Sequence, residues 1–205
     1  NFSFQGNSIK THANFVTAVG LDWSGILLAN AVNNGIQTTG DHDVGYGFTT
    51  HGIGLAQISV GNNVMLMDGN ANTALLVNTG GPSELVVGGN QIAFNGTGTT
   101  GLDLSLAKSA NVSILSNQII DVAGGGTGIL FNALNGPSSI EMELNKLDFR
   151  GPGALIDRGI IFQSITDTVT LQGVKANDVL NATTPFFIPA GTTQGHFNVN
   201  GQNVP

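Results

Sequence analysis

Asn111-Val112-Ser113-Ile114-Leu115-Ser116-Asn117-Gln118-Ile119-Ile120, closed eight residues on by Gly128-Ile129-Leu130-Phe131, is the stretch on which the fold turns. Val112 and Ile114 alternate with Ser113, the period of a strand with one apolar face. An asparagine and two isoleucines follow at once. Read outward in both directions, the triplet of Asn, any residue and an aliphatic recurs at Asn7, Asn34, Asn63, Asn90, Asn117 and Asn145, at spacings of 27, 29, 27, 27 and 28.

A second series tracks the first. Small residues followed by apolar alternation stand at Gly20, Gly47, Ala74, Gly101, Gly128 and Gly159, at spacings of 27, 27, 27, 27 and 31. Apolar pairs precede each asparagine: Phe2/Phe4, Ala29/Ala31, Ile58/Val60, Leu85/Val87, Val112/Ile114 and Ile140/Met142. Others follow each small residue, such as Leu21/Trp23, Phe48/Thr50 and Leu102/Leu104. The chain is rich in Gly, Asn, Thr and β-branched residues, which favour strands and turns over helices. Repeats that keep one direction and register pair each strand with its equivalent, about 4.8 Å away, when every repeat coils onto the last. Crossovers between parallel strands are right-handed. The expected fold is all-β: a right-handed parallel β-helix of about six to seven coils of ~27 residues. The six asparagines are expected to form an internal amide ladder at one bend, each side chain donating to the next, with Asn suited to the left-handed conformation of such bends. The small residues are expected where a Cβ would be crowded.

Composition narrows the function. Charged residues make up 9% of the chain and Lys plus Arg number 6, for a formal net charge of −7. Nucleic acids and anionic membrane surfaces need clustered cations, so no nucleic-acid partner is expected and an anionic membrane surface is disfavoured. The absence of cysteine excludes thiol nucleophiles and thiolate metal sites. No apolar run reaches the ~18 residues of a membrane span, and strand-like sequence from Asn1 reads as a segment of a longer protein.

The unit 111–120 with its closing Gly-Ile-Leu-Phe resembles the repeat of the pectin-lyase-like superfamily over roughly residues 1–175. That group includes polysaccharide lyases, glycoside hydrolases, phage tailspikes and secreted surface proteins such as autotransporter passengers. The resemblance implies a secreted or cell-surface setting in a bacterium or phage. For the enzymes it implies outward carboxylates on one sheet, sometimes with a basic residue and calcium. One solenoid hosts many activities, so the fold alone does not choose among them.

The pattern breaks late. Residues 150–158 delay Gly159 and read as a protruding loop. Beyond Leu171 the asparagine triplet is lost, with Gly173-Val174-Lys175 near its place. Residues 1–175 are therefore assigned to coils and 176–205 to a terminal coil and cap, with Phe186 or Phe187 packed near Ile160 and Phe162. A cap is expected because a coil end exposes apolar core and unpaired strand edges.

Candidate chemistry is sparse. Asp22 and Asp103 are assigned to one outward file with Thr49 and Leu76 between them, roughly 14 Å apart at the strand spacing. Glycoside hydrolysis needs carboxylates about 5–9.5 Å apart. The Asp-Asp and Gly-His-Gly motifs of polygalacturonases are absent, and Gly195-His196-Phe197 matches only in part. The best local group is Asp41, His42 and Asp43 on a bend, with Asp22 and His51 on the neighbouring surface: two carboxylates and imidazoles of the kind that bind a metal or move protons. The plainer reading of the same residues, and the one favoured, is a polar turn, since Gly and Asp suit turns. Glu141 and Glu143 near Lys146 read as a solvated face, Trp23 as core, and Leu76, Leu130 and Ile161 as outward apolar residues that mark a contact surface or a seat for the C-terminal segment.

The expectation is a non-enzymatic stalk or adhesin segment whose polar faces meet a glycan or a surface protein. It has no required cofactor; calcium is the one the resemblance allows. A polysaccharide lyase or glycoside hydrolase segment and a tailspike-like receptor-binding fibre are the alternatives.

Overall fold

The computed structural model describes residues 1–152, 155–191 and 193–204. Among these there is no helix; the chain winds as a parallel β-solenoid of about seven coils. Each coil contributes one strand to each of three sheets. The first sheet runs from Phe2–Gln5 through Ala110–Leu115 to Val169–Gln172 and Thr193–Val199. The second runs from Ser8–Thr11 to Asp178–Leu180, and the third from Thr17–Ser24 to Thr184–Phe187. Coils one to seven are numbered here by the strands they add to these sheets. Among the described residues, antiparallel pairing is confined to Thr193–Val199 with Gln202–Val204.

The alternation in the sequence explains which side chains fill the interior. Phe2, Ala29, Ile58, Leu85, Val112, Ile140 and Leu171 lie in one file of the first sheet, in strict register. They meet Ile36, Met65, Ile92, Ile119 and Leu147 of the second sheet and Phe48, Val77, Leu104 and Phe131 of the third in one continuous core. Phe131 and Phe162 stack at 4.4 Å across adjacent coils.

The asparagines form a column beside this core. The backbone N–H and Nδ2 of Asn7 both donate to Oδ1 of Asn34, at 2.9 and 3.1 Å. The same pair of bonds joins Asn34 to Asn63, Asn63 to Asn90, Asn90 to Asn117 and Asn117 to Asn145. Each inner Nδ2 spends its second proton on a carbonyl of the preceding coil, as Asn90 does on Val60 O at 2.9 Å. The column does not stop at Asn145: Asn177 continues it, with Asn145 Nδ2 donating to Asn177 Oδ1 at 2.8 Å. Asn177-Asp178-Val179 is thus the triplet of the seventh coil, and the repeat runs past residue 175. Left-handed backbone falls one residue earlier than expected, at Gly6, Asn33, Asn62, Gly89, Ser116 and Leu144. The ladder asparagines themselves need ordinary geometry to aim both amide groups along the axis.

The second series needs a two-residue correction in its first two members. Tyr46 pairs with Val19 and Leu75, so Ala18 and Gly45, not Gly20 and Gly47, stand opposite Ala74, Gly101, Gly128 and Gly159. The connection from His51 to Ala56 is two residues longer than that from Ser24 to Leu27, and it slides the register after the second coil. A Cβ at Gly101 would collide with Gly128 O and approach Ile119 Cδ1 at 2.7 Å, so smallness is required there.

The seventh coil ends in a cap. Phe186 and Phe187 pair with Ile160 and Ile161; Phe186 packs on the core, and Phe187 stays outside and covers Ile161. The strand Thr193–Val199 turns at left-handed Gly195 and carries Phe197 and Val199 over the coil end, both buried. Gly153 and Ala154 of the expected 150–158 loop, and Thr192 and Pro205 of the cap, lie outside the described residues. At the opposite edge of the third sheet, Trp23 is 42% exposed, and its ring meets Phe2 edge-on at 5.4 Å.

Candidate functional site

The five candidate residues separate into two places. Asp41, His42 and Asp43 lie on the bend that enters the strand Val44–His51, whereas His51 ends that strand and pairs with Asp22. Val44 to His51 spans about 23 Å at the ~3.3 Å rise of a parallel strand. One small substrate does not reach both groups.

Each residue of the first group has a local task. Asp43 is fully buried. Its Oδ1 accepts from Val16 N–H at 2.9 Å and its Oδ2 from Gly40 N–H at 3.2 Å, while its own N–H donates to Asn72 Oδ1 at 2.7 Å. A carboxylate engaged this way closes a bend. Asp41 belongs to an outer column: its N–H donates to Asn14 Oδ1 at 3.0 Å, its Oδ1 accepts from Asn70 N–H at 2.7 Å, and Asn70 Oδ1 accepts from Thr97 N–H at 3.0 Å. His42 takes the left-handed conformation (φ 59°) and stacks its exposed ring on Phe15 at 4.8 Å.

The second group is an open pair. His51 Nε2 lies 2.8 Å from an Asp22 carboxylate oxygen, with side chains 62% and 74% exposed. Water on most sides screens the contact and leaves no enclosed volume for a reacting bond. Asp22 does not share a file with Asp103. Its neighbours are Thr49, then Asn78 and Ser105, whereas Asp103 lies between Leu76 and Leu130. The two-residue slide after His51 accounts for this change as well. Glu143 is bound to the last bend, not to Lys146: Oε1 accepts from Val174 N–H at 2.8 Å and from Lys175 N–H at 3.4 Å, and these N–H groups hold its carboxyl low.

Two further carboxylates matter that the sequence reading passed over. The residues just before the third-sheet strands form a buried corner file of Asp43, Asn72, Thr99, Gly126 and Asp157. Gly126 has no side chain there, and Asp121 fills the space from the end of the second sheet: a Cβ on Gly126 would collide with its Oδ2. Asp121 Oδ1 accepts from Ala123 and Gly124 N–H, both at 3.0 Å, and Asp157 Oδ1 accepts from Gly125 and Gly126 N–H. Burial pushes the Asp121 carboxyl above its usual range, and the Asp157 charge adds to this against the pull of the N–H groups. The signal was present: in the register of inward Met67, Phe94 and Phe149, an aspartate at 121 is out of place.

Among the described residues, no three His, Asp or Glu side chains gather as metal ligands. Compared with models of protein families, with curated proteins and with solved structures, the chain matches none of them.

Proposed function

We propose that this chain is a non-enzymatic β-helical segment of a secreted or cell-surface protein, a stalk or adhesin of the pectin-lyase-like kind, whose long polar faces meet a glycan or a neighbouring surface protein. The observation that carries the reading is the engagement of its candidate acid–base groups in holding bends: Asp43 and Asp41 bond backbone N–H groups, and the Asp22–His51 pair stands open in solvent about a strand length away. Catalysis by paired groups needs separated pKa values around one bound substrate. The outward files of the first sheet, such as Asn30, Ser59, Ser113 and Gln172, instead suit many weak hydrogen bonds spread along the rod. A screen of neutral and acidic polysaccharides, with and without calcium, is expected to yield neither new reducing ends nor unsaturated products. A glycan or cell-surface binding assay is expected to show multivalent retention.

The Asp22–His51 contact favours one second reading, a segment of a polysaccharide-cleaving enzyme completed by other coils. Turnover in the screen that is lost in both Asp22→Ala and His51→Ala would replace the stalk reading with this one.

A further inference from the structure

The outer face of the third sheet carries an unsatisfied relationship. Leu76, Asp103, Leu130, Ile161 and Phe187 occupy one outward file across coils three to seven. Asp103 Oδ1 is buried between the flanking leucines with no hydrogen-bond partner. Arg158, three residues before Ile161 in coil six, is exposed and takes part in none of the ion pairs among the described residues. It lines one hollow with Ile161, Gln163, Thr184 and Phe187. Acid and base lie two coils apart, at least about 10 Å at the strand spacing, so they do not meet within one chain.

We infer that the third sheet is a self-association surface whose occupant is a second copy of this chain, packed face to face about an axis that runs along the strands past Leu130. Coil five is the midpoint of the apolar file. Rotation about it lays Leu130 on the partner copy's equivalent, brings Asp103 over the coil that carries Arg158, and brings Leu76 over the coil that carries Phe187, twice each. This is the reciprocal pattern of a closed two-fold interface. It fits the charges: in a chain of net charge −7, this face brings an acid to a base while burying leucine, isoleucine and phenylalanine. The inference does not depend on the stalk reading.

The chain has no cysteine, so single cysteines report the geometry cleanly. Sedimentation over a concentration series is expected to show a monomer–dimer equilibrium. Under mild oxidation Leu130→Cys is expected to form a disulfide dimer, and Asn111→Cys on the first sheet is not. Asp103→Lys and Arg158→Glu are each expected to weaken the dimer roughly 30-fold or more, and the double variant to restore most of it, which separates lost pairing from lost folding. A chain that stays monomeric throughout, equal crosslinking at 111 and 130, or a double variant as weak as the singles would overturn the inference.

Discussion

The side-chain amide of Asn145 donates to Oδ1 of Asn177 at 2.8 Å, although thirty-two residues separate the two instead of the usual twenty-seven. The ladder holds its geometry although the chain between the two coils is five residues longer, because the amide column lies beside the core while Leu155 and Ile156 of the lengthened connection are exposed. Insertion in a connecting loop costs little closure entropy, whereas a broken column leaves several buried polar groups unpaired.

That asymmetry gives the first prediction. Asn90 is fully buried; its Oδ1 accepts from Asn63 N–H and Nδ2, and its Nδ2 donates to Asn117 Oδ1 and Val60 O. Asn90→Leu is expected to lower stability by about 1–3 kcal/mol for each group left without a partner. Asn7→Leu, at the exposed end of the column, is expected to cost under about 1 kcal/mol. Denaturant midpoints of the two variants check this; equal losses would show that the column is not a source of stability.

The corner around Gly126 supports a charge prediction. Asp121 has a raised carboxyl pKa in the folded chain, so its contribution favours folding only while it is protonated and turns unfavourable as pH rises through the folded value. Asp121→Asn keeps an acceptor for Ala123 and Gly124 and removes the repulsion from Asp157. The variant is therefore expected to melt higher than the parent at pH 7, with the gain fading as pH falls through the ordinary carboxyl value near 4, well below which the aspartic acid is uncharged in both states. Gly126→Ala is expected to cost about 1–3 kcal/mol, because a methyl group displaces the carboxylate that fills the corner.

What the sequence showed and what it hid follow from the same physics. The ladder and the first-sheet files were legible because Asn and alternating aliphatics repeat at nearly constant spacing. Asn177 was missed because its interval of 32 from Asn145 is three residues beyond the largest earlier interval, although the Asn-Asp-Val triplet is intact. Gly20 and Gly47 were mistaken for members of the small-residue series because the 27-residue count from Gly47 to Ala74 runs across the lengthened connection after His51, which the 29-residue interval from Asn34 to Asn63 alone records. The candidate acid–base group looked compact along the chain, but a strand of eight residues, Val44–His51, holds its halves apart. The carboxylates that do face each other, Asp121 and Asp157, come from different coils, which no local motif records.

Tyr46 offers a test at the other end of the pH scale. Its hydroxyl donates to Asn63 Oδ1 at 3.1 Å, an oxygen that already accepts twice from Asn34. Burial pushes its pKa up to about 12, against the pull of the Asn34 amide. A raised folded pKa means that the tyrosine's contribution is intact below the unfolded value near 10 and is lost as pH climbs from about 10 to about 12. Tyr46→Phe is expected to cost about 0.5–1.5 kcal/mol at pH 7 and to lose less stability than the parent across that alkaline window. Identical alkaline profiles would show that Tyr46 does not titrate out of the core.

The cap carries the last prediction. A solenoid end leaves apolar core and strand edges open, and here both are closed by one short segment. Phe197, Val199 and Val204 lie buried over the last coil. Asn198 O accepts from both the N–H and the Nδ2 of Asn177, standing where the next ladder amide would stand. Asn200 does for the second sheet what another strand would do: its Oδ1 accepts from Val179 N–H at 2.7 Å and its Nδ2 donates to Val179 O at 2.8 Å. Phe197→Ala removes the apolar lid and is expected to cost about 3–5 kcal/mol. Asn200→Ala leaves both Val179 backbone groups at a coil edge without these partners and is expected to cost about 1–3 kcal/mol, with faster exchange of the Val179 amide in particular. Both variants are expected to bind a hydrophobic dye and aggregate on warming before the parent does, since the opened edge becomes a template for another chain. A Phe197→Ala protein with parent-like melting and no dye binding would show that the seventh coil closes the solenoid unaided.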